Sequence, residues 1–462
     1  PLEGIREKLG TATNVIYAPG CELAEGLVSF EKIPAMALSH GHKEKGLAVD
    51  YYKDHEFKGN ILFSSVDSSL DANWGDGAPR NDMDDDNFGV RWTGELSPDR
   101  TGTYQLGIIT TCKVNLYLDD SLVANTSYHF RDEYNDPRLR KSVPVQLQAG
   151  RRYKIKVEAG ESYGDARVQL VWAPPRAEGK EDLQAKAIAA ARQADVVVLC
   201  MGISSRLEGE EMDVNIDGFK GGDRTDLDLP KNQEKLIRAI RALGKPVVLV
   251  LLNGSALSVN WEAQHIPAIV EAWYPGQAAG QAIADVLFGD YDPAGRLPVT
   301  FYRSVHDLPA FSDYHMAGHT YRFFKGQPLY PFGYGLSYTS FAYDNLKYAV
   351  IGRAGDSIHV WVDITNKGQR AGDEVAQLYV SRLQSPVPVP IRSLAAFRRI
   401  HLEPGERRRV EFVLAPNTFS IVNDKMQRVV LSGAFTFSVG GGQPGTVTET
   451  DPLVLKGNFS LL

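Results

Sequence analysis

Cysteine is scarce in this sequence, with Cys21, Cys112 and Cys200 the only three in 462 residues. An odd, scattered set supports neither a disulfide framework nor a zinc pattern. Cys200 lies in an apolar run and is expected to be a buried thiol. Long apolar runs are missing as well. A membrane helix needs about 20 consecutive apolar residues, and the longest candidate, Pro246 to Leu252, has the length of a strand. No membrane is expected as a partner. An excess of basic charge is also missing, since 50 Lys and Arg face 57 Asp and Glu for a net charge of −7. Phosphate backbones call for a concentrated basic surface, so no nucleic acid is expected either. The one basic cluster, Arg398, Arg399, Arg407, Arg408 and Arg409, is interrupted by Glu403, Glu406 and Glu411 and reads as a solvated face. The first residue is Pro1, with no signal-peptide pattern before the fold. We read the chain as a processed or trimmed piece of something longer. Its compartment stays open between a bacterial periplasm or the exterior and the cytoplasm.

What is present falls into three textures. The first is α/β. Pro1 to Gly10 reads as a short helix and Asn14 to Pro19 as a strand. After a gap, helices at Asp182–Ala194, Lys231–Leu243 and Gln277–Phe288 alternate with apolar strands at Val196–Met201, Val247–Leu252 and Ala268–Trp273. Apolar strands between helices argue for a mostly parallel sheet covered on both faces, an α/β sandwich. The second texture fills the gap with alternating segments such as 113–118, 152–159 and 167–172, an all-β pattern inserted into the α/β domain. The third, from Phe341 on, carries evenly spaced alternating strands and suggests an immunoglobulin or fibronectin III-like sandwich. The expected boundaries are 1–34 with 178–340 for the α/β domain, 35–177 for the insert and 341–462 for the tail.

Ligand sites of open parallel sheets lie beyond the carboxyl ends of the strands. After Val196–Met201 the chain reads Gly202-Ile203-Ser204-Ser205-Arg206-Leu207-Glu208-Gly209-Glu210-Glu211-Met212. Three carboxylates in four residues repel one another, and packing has no use for them. The loop runs on through Gly218, Gly221 and Gly222 and reads as long and mobile or ligand-shaped. Other chemistries find less. No G-x-G-x-x-G follows a strand. Gly440 to Gly445 reads as a hairpin turn. Asn253-Gly254-Ser255 lacks the second glycine of a nucleophile elbow, so Ser255 reads as a helix cap or turn. His315 and His319 have no glutamate between them to suit a zinc helix. Asp82, Asp84, Asp85 and Asp86 lack the glycine and final glutamate of a calcium loop.

The long stretches Glu208 to Met212, Gly222 to Pro230, Gly244 to Ser255, Ala272 to Gln277, Gly289 to Pro298 and Leu329 to Tyr338 occur in one order. On these motifs the chain resembles the C-terminal part of family 3 glycoside hydrolases of the β-glucosidase type. The insert resembles a PA14 module, with Asp50-Tyr51-Tyr52 near its start and Leu118-Asp119-Asp120 at a strand end. The tail resembles the family's fibronectin type III-like domain. The resemblance implies retaining hydrolysis of terminal β-D-glucosyl residues, with two carboxyl groups about 5–5.5 Å apart. It implies an aspartate nucleophile on an N-terminal (β/α)₈ barrel, so no nucleophile is named in this chain, and a glutamate acid/base that falls on Glu210. Glu208 and Glu211 are the neighbouring alternatives. Tyr128, Phe130 and Met212 are the candidate substrate contacts. No cofactor and no metal are implied. The expected partners are a β-linked glucoside or oligosaccharide, the barrel as a companion chain or missing segment, and a possible second copy in a homodimer. Without the barrel the chain is expected to be inactive. A β-xylosidase or other exo-β-glycosidase, and a non-catalytic carbohydrate-binding or adhesion protein, stand as the other readings.

Overall fold

Three apolar segments form a parallel sheet. Val197–Gly202 pairs with Val247–Leu252, which pairs in turn with Ala268–Glu271, so Gly202, Leu252 and Glu271 end at one edge. The computed structural model describes all residues except 29, 42–43, 127–139, 176–181, 211, 213, 350–354 and 446–453. The chain divides into two units, residues 1–25 with 182–462, and residues 26–181.

The helices beside the sheet follow from local chemistry. Leu183–Gln193 starts where the Asp182 carboxylate accepts the Ala185 N–H at 2.9 Å. Lys231–Arg241 buries Gln233, Leu236, Ile237 and Ile240, one stripe at helical spacing. Ala279–Phe288 ends at Gly289, whose φ of 78° is left-handed. Leu2–Leu9 packs on this helix, and a Cβ on Gly4 would stand 2.0 Å from the Gly280 carbonyl oxygen.

Three expectations for this region need correction. Asn14 to Pro19 forms no strand, and Ile16 and Tyr17 are exposed without a partner strand among the described residues. Cys200 is exposed rather than buried. It lies on Val197–Gly202, an edge strand, where Leu199 and Met201 supply the buried face. The third strand stops at Glu271, because Trp273 takes a φ of 56° and gives its N–H to the Glu271 carboxylate at 3.1 Å instead of to the sheet.

The described residues of the tail form two larger antiparallel sheets and a small two-stranded one, Ser420–Val422 with Arg428–Val430. One contains Phe341–Ala349, Ile358–Asn366 and Arg407–Leu414, and the other Ser393–Leu402, Gly372–Arg382, Gly433–Gly440 and Leu455–Leu461. Alternating residues such as Val360, Val362, Leu378, Phe412 and Phe437 fill the space between them. A polar seam joins this sandwich to the preceding segment. Arg296 pairs with Glu374 at 2.8 Å with both side chains buried, and Tyr343 donates its hydroxyl to the same carboxylate. Gln377 donates to the Gly333 and Gly441 carbonyls at 2.9 Å each. The glycine run is therefore partly docking surface: Gly440 ends a strand and Gly441 accepts across the seam. Of the arginine cluster, Arg407 and Arg409 clamp the buried Asp363, and Arg399 pairs with Asp373 at 2.6 Å.

Residues 26–181 form two antiparallel sheets around Phe88, Trp92, Tyr104, Leu106, Leu116, Val157 and Val168. Glu31 pairs with Trp172 and Lys32 with Val171, which brings residues ahead of position 35 into this unit. Among the aspartates once weighed for calcium, Asp82 pairs with Arg80 and Asp86 accepts the Gly164 N–H at 3.0 Å.

Candidate active site

The acidic stretch occupies the edge where the parallel strands end. Its path is built rather than loose. Gly209 N–H donates to the Gly222 carbonyl at 3.2 Å, Met212 N–H to Gly221 at 3.0 Å, and Gly221 N–H to Val214 at 2.7 Å. Asn215–Ile216, Phe219–Lys220 and Asp223–Arg224 then form a small antiparallel meander. Gly222 has a φ of 88°, and a Cβ there would lie 1.8 Å from the Gly209 oxygen, so only glycine allows the two segments to close. Of the two expectations, a mobile or a ligand-shaped loop, these backbone bonds and the close approach at Gly222 suit a shaped one.

Glu210 stands on that loop and is exposed. Met212 is half-buried next to it, while Glu211 lies outside the described residues. Glu208 is partly buried, and its Oε2 is shut from solvent without a hydrogen-bond partner. Tyr128 and Phe130 lie outside the described residues.

Around the acidic pair the structure gathers residues not singled out from the sequence. Arg224 donates to Ser255 Oγ at 3.0 Å and to the Ala256 carbonyl at 2.7 Å. Burial lowers the Arg224 pKa from its ordinary value, and the charge of Glu208 opposes that. Arginine keeps its proton under these conditions, so it remains a fixed positive centre. Ser255 is thus an acceptor for Arg224, not a helix cap; the next helix, Asn260–His265, begins beyond it. Tyr274 is 46% exposed and lies against Gly254, where a Cβ would come within 2.6 Å of the ring. Burial, and then the negative charge of Glu208, push its hydroxyl up to about 12. Glu271 closes the third strand. Its carboxylate accepts from Trp273 N–H at 3.1 Å and Asn253 Nδ2 at 3.3 Å, yet burial outweighs these bonds and raises its pKa to about 7. The sequence signal for Tyr274 was an aromatic directly after a strand's carboxyl end. For Arg224 and Glu271 the deciding fact is burial, which pattern does not carry.

His315 pairs with Asp313 at 2.8 Å and His319 faces the Asp313 carbonyl at 3.2 Å, so local contacts account for both rings. No group of three His, Cys, Asp or Glu side chains is placed to hold a metal among the described residues. No helix among them is long and apolar enough to cross a membrane.

Glu208, Arg224 and Tyr274 lie close enough for their charges to act on one another, and Glu210 follows two residues after Glu208. Residues 1–338 match the glycosyl hydrolase family 3 C-terminal domain, and residues 374–443 a fibronectin type III-like domain. The chain belongs to glycosyl hydrolase family 3. This family 3 chain is 34% identical over 88% of its length to a xylan 1,4-beta-xylosidase of Xylanibacter ruminicola, covering 45% of that protein. It is 30% identical over 90% of its length to a beta-glucosidase of Rhizobium radiobacter, covering 51% of that one. In structure it is similar to the beta-glucosidase of Kluyveromyces marxianus in complex with glucose, with a TM-score of 0.69, 26% identity, all of this chain covered and 56% of the other. The chain thus spans about half the length of the curated relatives it matches.

Proposed function

We propose that this chain supplies the acid/base half of a retaining exo-β-glycosidase, a β-glucosidase in the first place, with Glu210 as the acid/base. The carrying observation is the position of Glu210, exposed on a tip that Gly222 locks beyond the carboxyl ends of the parallel strands. A group that first protonates the leaving oxygen and later takes a proton from water must reach the substrate yet hold its place. Glu208 serves differently. Its Oε2 is withdrawn from solvent, which suits a supporting carboxylate and not a group that exchanges protons with water. Arg224 is close enough to Glu208 for their charges to attract, and the exposed face of Tyr274 offers a surface for the C–H face of a sugar.

The nucleophile belongs to a barrel of about 250 residues outside this chain, and catalysis requires the two together. We read the insert at residues 35–177 as a PA14-type module, with Tyr128 and Phe130 as candidate sugar contacts; the two antiparallel sheets of the β unit suit such a module. A second copy in a homodimer belongs to the same reading. A β-xylosidase is the second reading, favoured by relatives of that name at 34% and 41% identity.

The test uses the chain joined to its barrel. Glu210→Ala is expected to abolish cellobiose hydrolysis while aryl glucosides with good leaving groups keep part of their turnover, rescued by azide. Unchanged cellobiose hydrolysis would remove Glu210 from the role. Full loss on both substrates in Glu208→Ala, with azide rescue there instead, would transfer it to Glu208. Comparing p-nitrophenyl glucoside with the xyloside separates the two sugar readings.

A further inference from the structure

A second polar pocket lies in the seam between the segment before the sandwich and the sandwich itself. It encloses about 190 Å³, and its lining includes Thr300, Tyr321, Phe324, Lys325, Gln327 and Arg392. No aspartate or glutamate lines it among the described residues. The stretch that carries Arg392 is held in place from both ends. Ile391 N–H donates to the Arg322 carbonyl at 2.7 Å, and Leu394 N–H to the Tyr321 hydroxyl at 3.0 Å. Tyr321 is fixed in turn by stacking on Phe332 at 4.1 Å. The pocket wall is therefore preformed.

The charge balance of this pocket is unusual. Arg392 is largely withdrawn from water, and burial lowers its pKa from the ordinary value, with only the Tyr379 hydroxyl opposing. No carboxylate among the described residues pairs with it. Thr300 is 7% exposed, and its hydroxyl interacts with the Tyr302 hydroxyl. Lys325 stands at the mouth, exposed and likewise without a carboxylate. A guanidinium removed from water without a counter-ion is costly. A bound oxyanion offsets that cost, because the planar fork of arginine matches a carboxylate or a phosphate oxygen pair.

We infer that this pocket binds a small oxyanion, held by the Arg392 guanidinium with Lys325 as a further donor. The same chemistry is offered by a free inorganic oxyanion and by the carboxylate of an acidic monosaccharide. The site is separate from the Glu208–Glu210 edge in its residues and does not depend on the glycosidase reading.

Isothermal titration of the chain with sodium sulfate and with sodium glucuronate, at constant ionic strength set by sodium chloride, tests it. Saturable binding of at least one is expected, weakened about tenfold or more in Arg392→Met. Stronger binding of glucuronate identifies an acidic sugar site, and stronger binding of sulfate an inorganic one. Binding of neither, or equal binding by the Arg392 variant, overturns the inference. Should Arg392→Met fail to fold, crystals of the unaltered chain soaked in selenate decide. An anomalous peak beside Arg392 upholds the site, and its absence there overturns it.

Discussion

Glu271 offers a measurable consequence of burial at the end of a parallel strand. Its carboxyl titrates near 7 instead of the ordinary 4.5 because burial penalises the charged form more than Trp273 N–H and Asn253 repay it. The folded chain therefore holds the proton more tightly than the unfolded chain. Between about pH 4.5 and 7 the native state binds more protons, so stability is greatest below the lower value, falls as pH rises, and levels off above the upper one. A difference of roughly 2.5 pH units at 1.36 kcal/mol each gives at most about 3 kcal/mol lost across that window. Glu271→Gln mimics the protonated form and keeps an acceptor for Trp273 N–H. Urea unfolding followed by tryptophan fluorescence should give equal stability for both proteins at pH 4.5. At pH 8 the variant should be more stable, by up to about 3 kcal/mol. Burial also raises Glu234, Glu262 and Asp228, so both proteins slope in the same direction, and the difference between the curves isolates Glu271. Parallel curves from pH 4.5 to 8 would refute the argument and mean that Glu271 is solvated in solution.

The other predictions concern the tip and the seam. Gly222→Ala forces a Cβ into the Gly209 carbonyl at 1.8 Å. In the barrel-containing protein it should cost about a hundredfold in kcat through misplacement of Glu210, read by aryl glucoside kinetics; kcat within twofold of the unaltered enzyme would argue against a rigid tip. Tyr274→Ala should raise KM for cellobiose by about five- to tenfold and leave kcat for aryl glucosides nearly unchanged. Equal effects on both substrates would deny the stacking role. Arg296→Ala strands the buried Glu374 carboxylate and should cost about 3–5 kcal/mol in urea unfolding, whereas the double variant Arg296→Met, Glu374→Leu should recover most of it.

The parallel sheet was legible because apolar runs of strand length between helical stripes have few other uses. Val247–Leu252 fell where the run placed it. Where the reading slipped, a neighbour decided the outcome. Cys200 shares its apolar run with Leu199 and Met201 but occupies an edge strand, and a linear pattern does not say which strand is at an edge. Asn14 to Pro19 has strand composition, but a strand also needs a partner with free ladder groups. Trp273 continues the apolar run of its strand, yet the Glu271 carboxylate captures its N–H and turns the chain. The acidic trio drew attention because like charges at a strand's carboxyl end serve no packing purpose, and its part in chemistry belongs to the proposed function. The order within the trio was not legible, because Glu208 and Glu210 differ in burial alone.

That difference in burial gives the two carboxylates different work. Glu208 has an oxygen shut from water and unpaired, and Arg224 close enough for its charge to count. It is therefore poorly placed to trade protons with bulk water. Glu210 stands in the open on a tip whose glycines leave the backbone no slack. On the proposed reading, Glu210 works as a general acid only where a sugar excludes water and a second carboxylate stands about 5–5.5 Å away, and neither is part of this chain.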